Sequence, residues 1–112
     1  MTAQAQRILR EWGRMFDTVD ALILPVSAQP PFEADQDFER PETLREIMMA
    51  NRPLFILNLM GLPGATVRTL DSRPIPLGVQ IVGDRMDDLV CLDAAAAIER
   101  ELAFDLRPID PV

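Results

Sequence analysis

The 112-residue chain contains no histidine, no lysine and no tyrosine, and its only serines are Ser27 and Ser72. All 11 basic residues are arginines, whose guanidinium groups stay protonated under ordinary conditions. General acid–base catalysis near neutral pH therefore has only carboxylates, or one thiol, to use. The single cysteine, Cys91, cannot form an intramolecular disulfide, which fits a reducing cytoplasm.

Positive charge is also scarce, with 11 basic against 18 acidic residues and a net charge of −7. This balance argues against binding to nucleic acids or to anionic membranes, because both need a basic surface. The chain has no apolar run near the roughly 20 residues that span a bilayer, and no secretory leader. We therefore expect a cytoplasmic, globular protein with one domain over residues 1–112, including a loop over 26–41 and a tail over 104–112.

Apolar spacing predicts the first two elements. A helix is expected over Thr2 to Phe16, because Ile8, Trp12 and Phe16 recur at helical spacing on one stripe. The wholly apolar run from Ala21 to Leu24 predicts a short strand that is buried on both faces and ends at Pro25.

Two further strands are predicted at Ala65 to Leu70 and at Leu77 to Val82, where β-branched and aliphatic residues are frequent. The segment from Asp71 to Pro76 separates them and has the composition of a loop. Gly78 lies inside the second strand, and a glycine there indicates a bulge or a close approach of another group. Gly83 closes the strand.

Helices are predicted over Glu42 to Asn51 and over Leu54 to Met60, with Gly61 ending the second. A last helix is expected from Asp84 or Arg85 to Ala103, with Asp84 as its cap. The predicted fold class is therefore α/β: about three strands in a small mixed or antiparallel sheet, packed with N- and C-terminal helices.

The acidic residues form two groups that could be taken for metal sites. The first group is Asp84, Asp87 and Asp88, and the second is Glu33, Asp35, Asp37 and Glu39. The first group suits the beginning of a helix, because acids there interact favourably with the helix dipole, and the second suits a solvated loop. Neither group has the glycine and spacing of a calcium loop, and the glycines of the chain match no phosphate-binding motif. We expect no metal and no cofactor.

Three other residues invite a functional interpretation. Cys91 lies between Val90 and Leu92 with no histidine in the chain to activate it, so a buried structural cysteine is favoured over a nucleophile. Asn58 and Gln80 are polar residues among apolar neighbours, and each can simply satisfy backbone groups. They are nevertheless the weak candidates for substrate binding, through orientation of active-site backbone. No catalytic residue is assigned.

The stretch from Asn58 to Gly83 carries a family resemblance. Asn-Leu-Met-Gly-Leu-Pro-Gly-Ala-Thr-Val, followed by Ile-Pro-Leu-Gly-Val-Gln-Ile-Val-Gly, resembles the C-terminal part of the amidase signature family. The run from Val19 to Pro25 is similar to the aspartate, aliphatic strand and proline of that family. The sequence departs from the pattern at Gly64, which precedes Ala65, and at the end of the first strand. The resemblance covers roughly Phe16 to Leu102.

The resemblance implies an enzyme that hydrolyses amides with two serines and a lysine from a Gly/Ser-rich core earlier in the chain. That triad maps onto no position here. We therefore expect the C-terminal portion of an amidase, which supplies scaffold and part of the substrate-pocket wall and is inactive alone. Its expected partners are the missing N-terminal amidase core and, when isolated, copies of itself.

Two alternatives remain open at this point. The chain could be a standalone, non-catalytic binding or oligomerisation module derived from the amidase fold. A carboxylate-based enzyme is also conceivable, although no convincing pair of acids is present. A severed piece should expose the apolar surfaces that once packed on the missing part, whereas an adapted module should not.

Overall fold

The computed structural model describes residues 2–69 and 77–102. These ranges contain five helices and three strands. The helices are α1 (Ala3–Phe16), α2 (Gln36–Glu39), α3 (Pro41–Ala50), α4 (Arg52–Met60) and α5 (Asp88–Leu102), and the strands are β1 (Leu22–Pro25), β2 (Gly64–Arg68) and β3 (Gly78–Val82).

The three strands form one antiparallel sheet in the order β1-β3-β2. The last strand in the sequence is therefore the central one. Its middle residue, Gln80, lies opposite Leu24 on one side and Thr66 on the other. The predicted α/β class with a small three-stranded sheet is confirmed, and both pairings are antiparallel.

Helices cover both faces of the sheet. On one face Val82 packs with Leu57 and Met60 of α4, and the apolar stripe of α1 predicted from Ile8, Trp12 and Phe16 joins this cluster. On the other face Val67 and Ile81 pack against Ala95 of α5. Side chains alternate between the faces along each strand, which is why neighbouring residues such as Ile81 and Val82 belong to different clusters.

Gly83 allows α5 to approach the end of β3. A Cβ atom at this position would lie 3.0 Å from the Cys91 sulfur and 3.2 Å from the Asp87 carbonyl oxygen. Both contacts are tighter than most Cβ contacts, so a side chain at this position would fit only if its neighbours moved by a few tenths of an ångström. Gly61 ends α4 as predicted, because its left-handed backbone, with φ of 65°, favours glycine.

The prediction that the first strand is buried on both faces was wrong. Ile23 is 63% exposed, while its neighbours Leu22 and Leu24 are half-buried. The reason is how α5 lies on the sheet. It packs mainly on β2 and β3, so no described helix covers the face of β1 that carries Ile23.

The predicted start of the last helix was also wrong, since α5 begins at Asp88. Asp84 does not cap it: the Asp84 carboxylate accepts a hydrogen bond at 2.8 Å from the N–H of Arg85. Met86 has a φ of 69°, a left-handed conformation that a continuous helix cannot contain.

The loop predicted over residues 26–41 contains one turn of helix, α2, and its last residue begins α3. Asp35 precedes α2 in a left-handed conformation, with φ of 64°. The predicted segment from Asp71 to Pro76, the end of the last helix at Ala103 and the tail over 104–112 lie outside the described residues. None of the described helices is long and apolar enough to cross a membrane.

Candidate functional site

Gln80 lies at the centre of the sheet and is 4% exposed. Strand alternation places its side chain on the same face as Val82, towards α1 and α4. Its Nε2 atom has no hydrogen-bond partner among the described residues. The sequence suggested that this side chain satisfies backbone groups, but its N–H donor does not do so. Leaving a buried amide without a partner costs roughly 1–3 kcal/mol of folding free energy.

Asn58 lies in a different environment. It is exposed on the last turn of α4, and its backbone carbonyl accepts the N–H of Gly61 at 3.2 Å. The structure gives its side chain no buried surroundings like those of Gln80. Of the two candidates, only Gln80 is a polar side chain inside the fold.

A hollow of about 380 Å³ opens where β1 ends and β3 begins. It lies beside Gln80, because its floor includes Thr66 and Gly78, on the same face of the sheet as Gln80. Asn51, at the corner between α3 and α4, closes another side. The remaining wall follows the chain after β1: Pro25, Val26, Ser27, Gln29, Pro30, Pro31 and Phe32, with Leu77 opposite.

None of the described residues that line this hollow carries an ionisable side chain. Ser27 lies in the wall, where its hydroxyl oxygen accepts a hydrogen bond from the N–H of Gln29 at 3.2 Å. A serine needs a neighbouring base to become a nucleophile, and these lining residues include none. The geometry therefore suits the binding of neutral or apolar groups and provides no acid–base chemistry.

The sequence did not single out Asn51 or Thr66. Thr66 reaches the hollow only because β2 pairs with β3, a long-range contact that local pattern does not reveal. Asn51 is a helix-boundary residue whose Nδ2 donates to the Ile47 carbonyl at 3.0 Å. Its position immediately before the Arg-Pro that begins α4 was the available signal, since asparagine is common at helix starts.

A larger hollow, of about 500 Å³, lies along α3. Its walls carry charged side chains of both signs, from Glu42, Arg45, Glu46 and Arg52. It lies away from the strands of the motif, and a solvated helix surface explains its composition. Within the described ranges, no three acidic or thiol side chains are grouped so that they could hold a metal ion.

Cys91 is 2% exposed, and its thiol lies 3.6 Å from the carbonyl oxygen of Pro63. Burial raises the pKa of the thiol, and the nearby carboxylates of Asp88 and Asp87 raise it further. A raised pKa keeps the sulfur protonated and unreactive. The predicted burial of Cys91 is confirmed.

The sequence model of the family described as Amidase matches residues 1–92, which include α1, the whole sheet and the beginning of α5. The chain belongs to the amidase family. The resemblance to this family that was inferred from the sequence is confirmed.

Named relatives divide between two activities. The chain is 34% identical over 102 residues to a Glutamyl-tRNA(Gln) amidotransferase subunit of Rhodospirillum rubrum, and 35% identical over 110 residues to that of Myxococcus xanthus. It is 31% identical over 100 residues to an indoleacetamide hydrolase of Bradyrhizobium japonicum. These matches cover 90%, 96% and 88% of the chain, respectively.

A crystal structure of the corresponding Glutamyl-tRNA(Gln) amidotransferase subunit from Thermotoga maritima has a similar fold, with a TM-score of 0.72 and 28% sequence identity. The similarity covers 86% of this chain but 20% of that one. The matches to the relatives from R. rubrum and B. japonicum likewise cover 20% and 22% of their lengths. The chain thus spans about a fifth of the length of the proteins it resembles.

Proposed function

We propose that this chain is the C-terminal portion of an amidase-family hydrolase, which cleaves the C–N bond of an amide. In that enzyme it supplies scaffold and part of the wall of the substrate pocket. The observation that supports this most strongly is the family match across the sheet, in a chain that spans about a fifth of its relatives.

The hollow at the ends of β1 and β3 is the part of the surface that we assign to the pocket wall. Its lining is neutral, with prolines and aliphatic groups interrupted by a few hydroxyls and amides. A surface of this kind can hold the uncharged part of an amide substrate and fix its orientation through a small number of hydrogen bonds. Gln80, which is buried in the strand beneath this wall, and Asn58 stay weak candidates for orienting active-site backbone in the whole enzyme.

Without the remainder of such an enzyme, we expect the chain to be silent towards amides. It has no lysine to serve as a base, and its serines, Ser27 and Ser72, have no histidine to replace one. The polypeptide that carries the two serines and the lysine of the family would have to complete the site.

A graft tests this proposal. The segment of the B. japonicum indoleacetamide hydrolase that matches this chain, 100 residues long, is replaced by the corresponding residues of the chain. Ammonia release from indoleacetamide is then measured for the graft and for the 112-residue chain alone. We expect turnover by the graft and none by the chain.

Two results would contradict the proposal. The first is a folded graft that does not hydrolyse the amide. The second is amide turnover by the chain alone that persists in the Ser27→Ala and Ser72→Ala variants, which would point to a carboxylate mechanism.

The standalone binding module is the second candidate, and the exposed surface argues against it. Large hydrophobic side chains are exposed at 13 positions in the described part of the chain, including Phe38 at 82% and Leu59 at 81%. A module adapted to independent life would bury or replace many of these.

A further inference from the structure

A further hollow, the α1–α4 groove, has a volume of about 350 Å³ and lies where α1 and α4 meet beside β1. Leu57, which is 7% exposed, and the half-buried Leu24 line it on the side of the core. Trp12 of α1 and Ile56 of α4 extend this apolar lining towards the surface. Among the described residues, none lines both this groove and the hollow beside Gln80. The groove is therefore separate from the surface that we assign to the pocket wall.

Arg52 is the only charged residue among the described residues that line the groove. It is exposed, and its Nε atom donates a hydrogen bond to the Met49 carbonyl at 3.0 Å, which holds the guanidinium group beside the groove. Its two Nη groups have no hydrogen bond or salt bridge to another described residue. Glu42 and Glu46 line the hollow along α3, which Arg52 also borders, but neither lines the groove. The groove thus combines an apolar interior with one positive charge that no described carboxylate neutralises.

This combination fits a carboxylate with an apolar tail. A guanidinium group can donate two parallel hydrogen bonds to the two oxygens of a carboxylate. The apolar lining removes the tail from water, and the volume lies within the range of small-ligand sites, about 300–1,000 Å³. A phosphate group fits less well, because one arginine would face two negative charges in a chain whose net charge is already −7.

We propose that the α1–α4 groove binds a carboxylate with an apolar tail, with Arg52 holding the carboxylate and Trp12 and Ile56 contacting the tail. Hydrolysis of an apolar amide adds a water oxygen to the acyl carbon, breaks the C–N bond and releases ammonium together with a carboxylate of this class. The groove is then a site for the product, separate from the pocket where the product forms. This link to the product rests on the proposed function, whereas the binding itself does not.

The fluorescence of Trp12, the single tryptophan of the chain, reports on the groove directly. The 112-residue chain is titrated with octanoate, with its neutral counterpart octanamide, and with acetate, which has the charge but almost no tail. We expect a saturable change with octanoate, which should bind about fivefold tighter than octanamide, and no change with acetate at the same concentrations. A chain of net charge −7 repels anions in general, so a preference for octanoate has to come from a local cation. The preference should shrink in about 1 M NaCl, where the Debye length is about 3 Å.

Two matched pairs of variants locate the site. Arg52→Gln should remove the preference for octanoate and leave octanamide binding unchanged, which also shows that this variant is folded. Arg45→Gln changes an exposed arginine that does not line the groove, so the preference should persist. Ile56→Gln should weaken the binding of both ligands by about fivefold or more, because it removes apolar surface from the lining. Leu59→Gln on the same helix should not, since Leu59 lies outside the groove.

The outcomes decide the proposal. Equal affinity for octanoate and octanamide, or a preference that survives in Arg52→Gln, overturns it. Equal weakening by Ile56→Gln and Leu59→Gln would indicate general binding to exposed apolar surface and also overturns it. Trp12 emission that changes with protein concentration in the absence of ligand assigns the groove to a second copy, with the same consequence. None of these results bears on amide hydrolysis, which the graft measures separately, and an inactive graft would remove only the link between this ligand and the product.

Discussion

The Cys91 thiol is 2% exposed and lies close to the carboxylates of Asp87 and Asp88. Its pKa is raised from the ordinary 9.0, so the folded protein holds this proton to higher pH than the unfolded chain does. The free energy of unfolding should therefore be constant with respect to this group below about pH 9 and fall above it, by at most about 1.4 kcal/mol per pH unit. Urea unfolding at a series of pH values measures the fall.

The amino-acid composition leaves no other side chain to obscure the effect of the Cys91 thiol in this experiment. The chain has no lysine and no tyrosine, so no other side chain changes its charge in the same window while arginine stays protonated. Cys91→Ala should be less stable overall but should show no fall above pH 9. An equal fall in that variant would show that the thiol is not its cause.

Gly83 should not tolerate a methyl group. In Gly83→Ala the new Cβ would lie 3.0 Å from the Cys91 sulfur, and we expect a loss of about 1–3 kcal/mol in the free energy of unfolding. Gly13→Ala is the control, because no described neighbour lies within 4 Å of its Cβ and α1 should gain about 0.5–1 kcal/mol. Chemical denaturation measures both, and equal signs would contradict the packing around Gly83.

Gln80→Met tests the buried amide. Methionine has a similar volume and no donor to leave without a partner, so we expect the isolated chain to be as stable or up to about 1 kcal/mol more stable. Gln80→Glu should lose stability, because it buries a carboxylate at a site that is 4% exposed. Thermal melting compares the two, and a marked loss in Gln80→Met would mean that the amide does have a partner.

At the scale of elements, α4 has an inner and an outer face. Leu57 and Met60 are buried, whereas Phe55, Ile56 and Leu59 are exposed at 49%, 46% and 81%. Leu59→Gln should therefore change the free energy of unfolding by less than about 0.5 kcal/mol. It should also reduce aggregation, because it removes apolar surface.

Leu57→Ala on the same helix provides the contrast. It removes a side chain that is 7% exposed, and the expected cost is about 2–5 kcal/mol. Denaturant unfolding and light scattering together measure stability and aggregation. If Leu59→Gln proved as destabilising as Leu57→Ala, the outer face of α4 would have to be packed in the isolated chain.

The sequence predicted those elements whose residues carry local information. The stripe through Ile8, Trp12 and Phe16 identified α1, and Gly61 identified the end of α4, because periodicity and left-handed caps are local properties. The family motif identified the fold. The exposure of Ile23 could not be predicted, since it depends on where α5 lies across the sheet.

The candidate site was less accessible to prediction. Gln80 was singled out from the sequence as a polar residue among apolar neighbours, and it is buried. The hollow beside it, however, is assembled from separate parts of the chain. Thr66 reaches it through strand pairing, and Asn51 through the corner between two helices. One sequence does not encode such distances in any local pattern.

At the scale of the molecule, the isolated chain should behave as a protein with too much apolar surface. The 13 exposed large hydrophobic side chains of the described residues should bind a dye such as ANS in the native state. We expect ANS fluorescence to fall on full unfolding. The absence of dye binding would favour the standalone module over a piece of a larger enzyme.

The sheet order has a consequence for synthesis on the ribosome. The central strand, β3, is the last of the three to be made, and Leu22 waits for its partner Val82 until 60 more residues have been added. At about 5–20 residues per second that delay lasts seconds, far longer than the microseconds in which local helices form. A nascent chain that stops before Gly78 contains both outer strands and neither of their pairings, so chaperones that bind extended apolar segments would meet β1 and β2 in this interval.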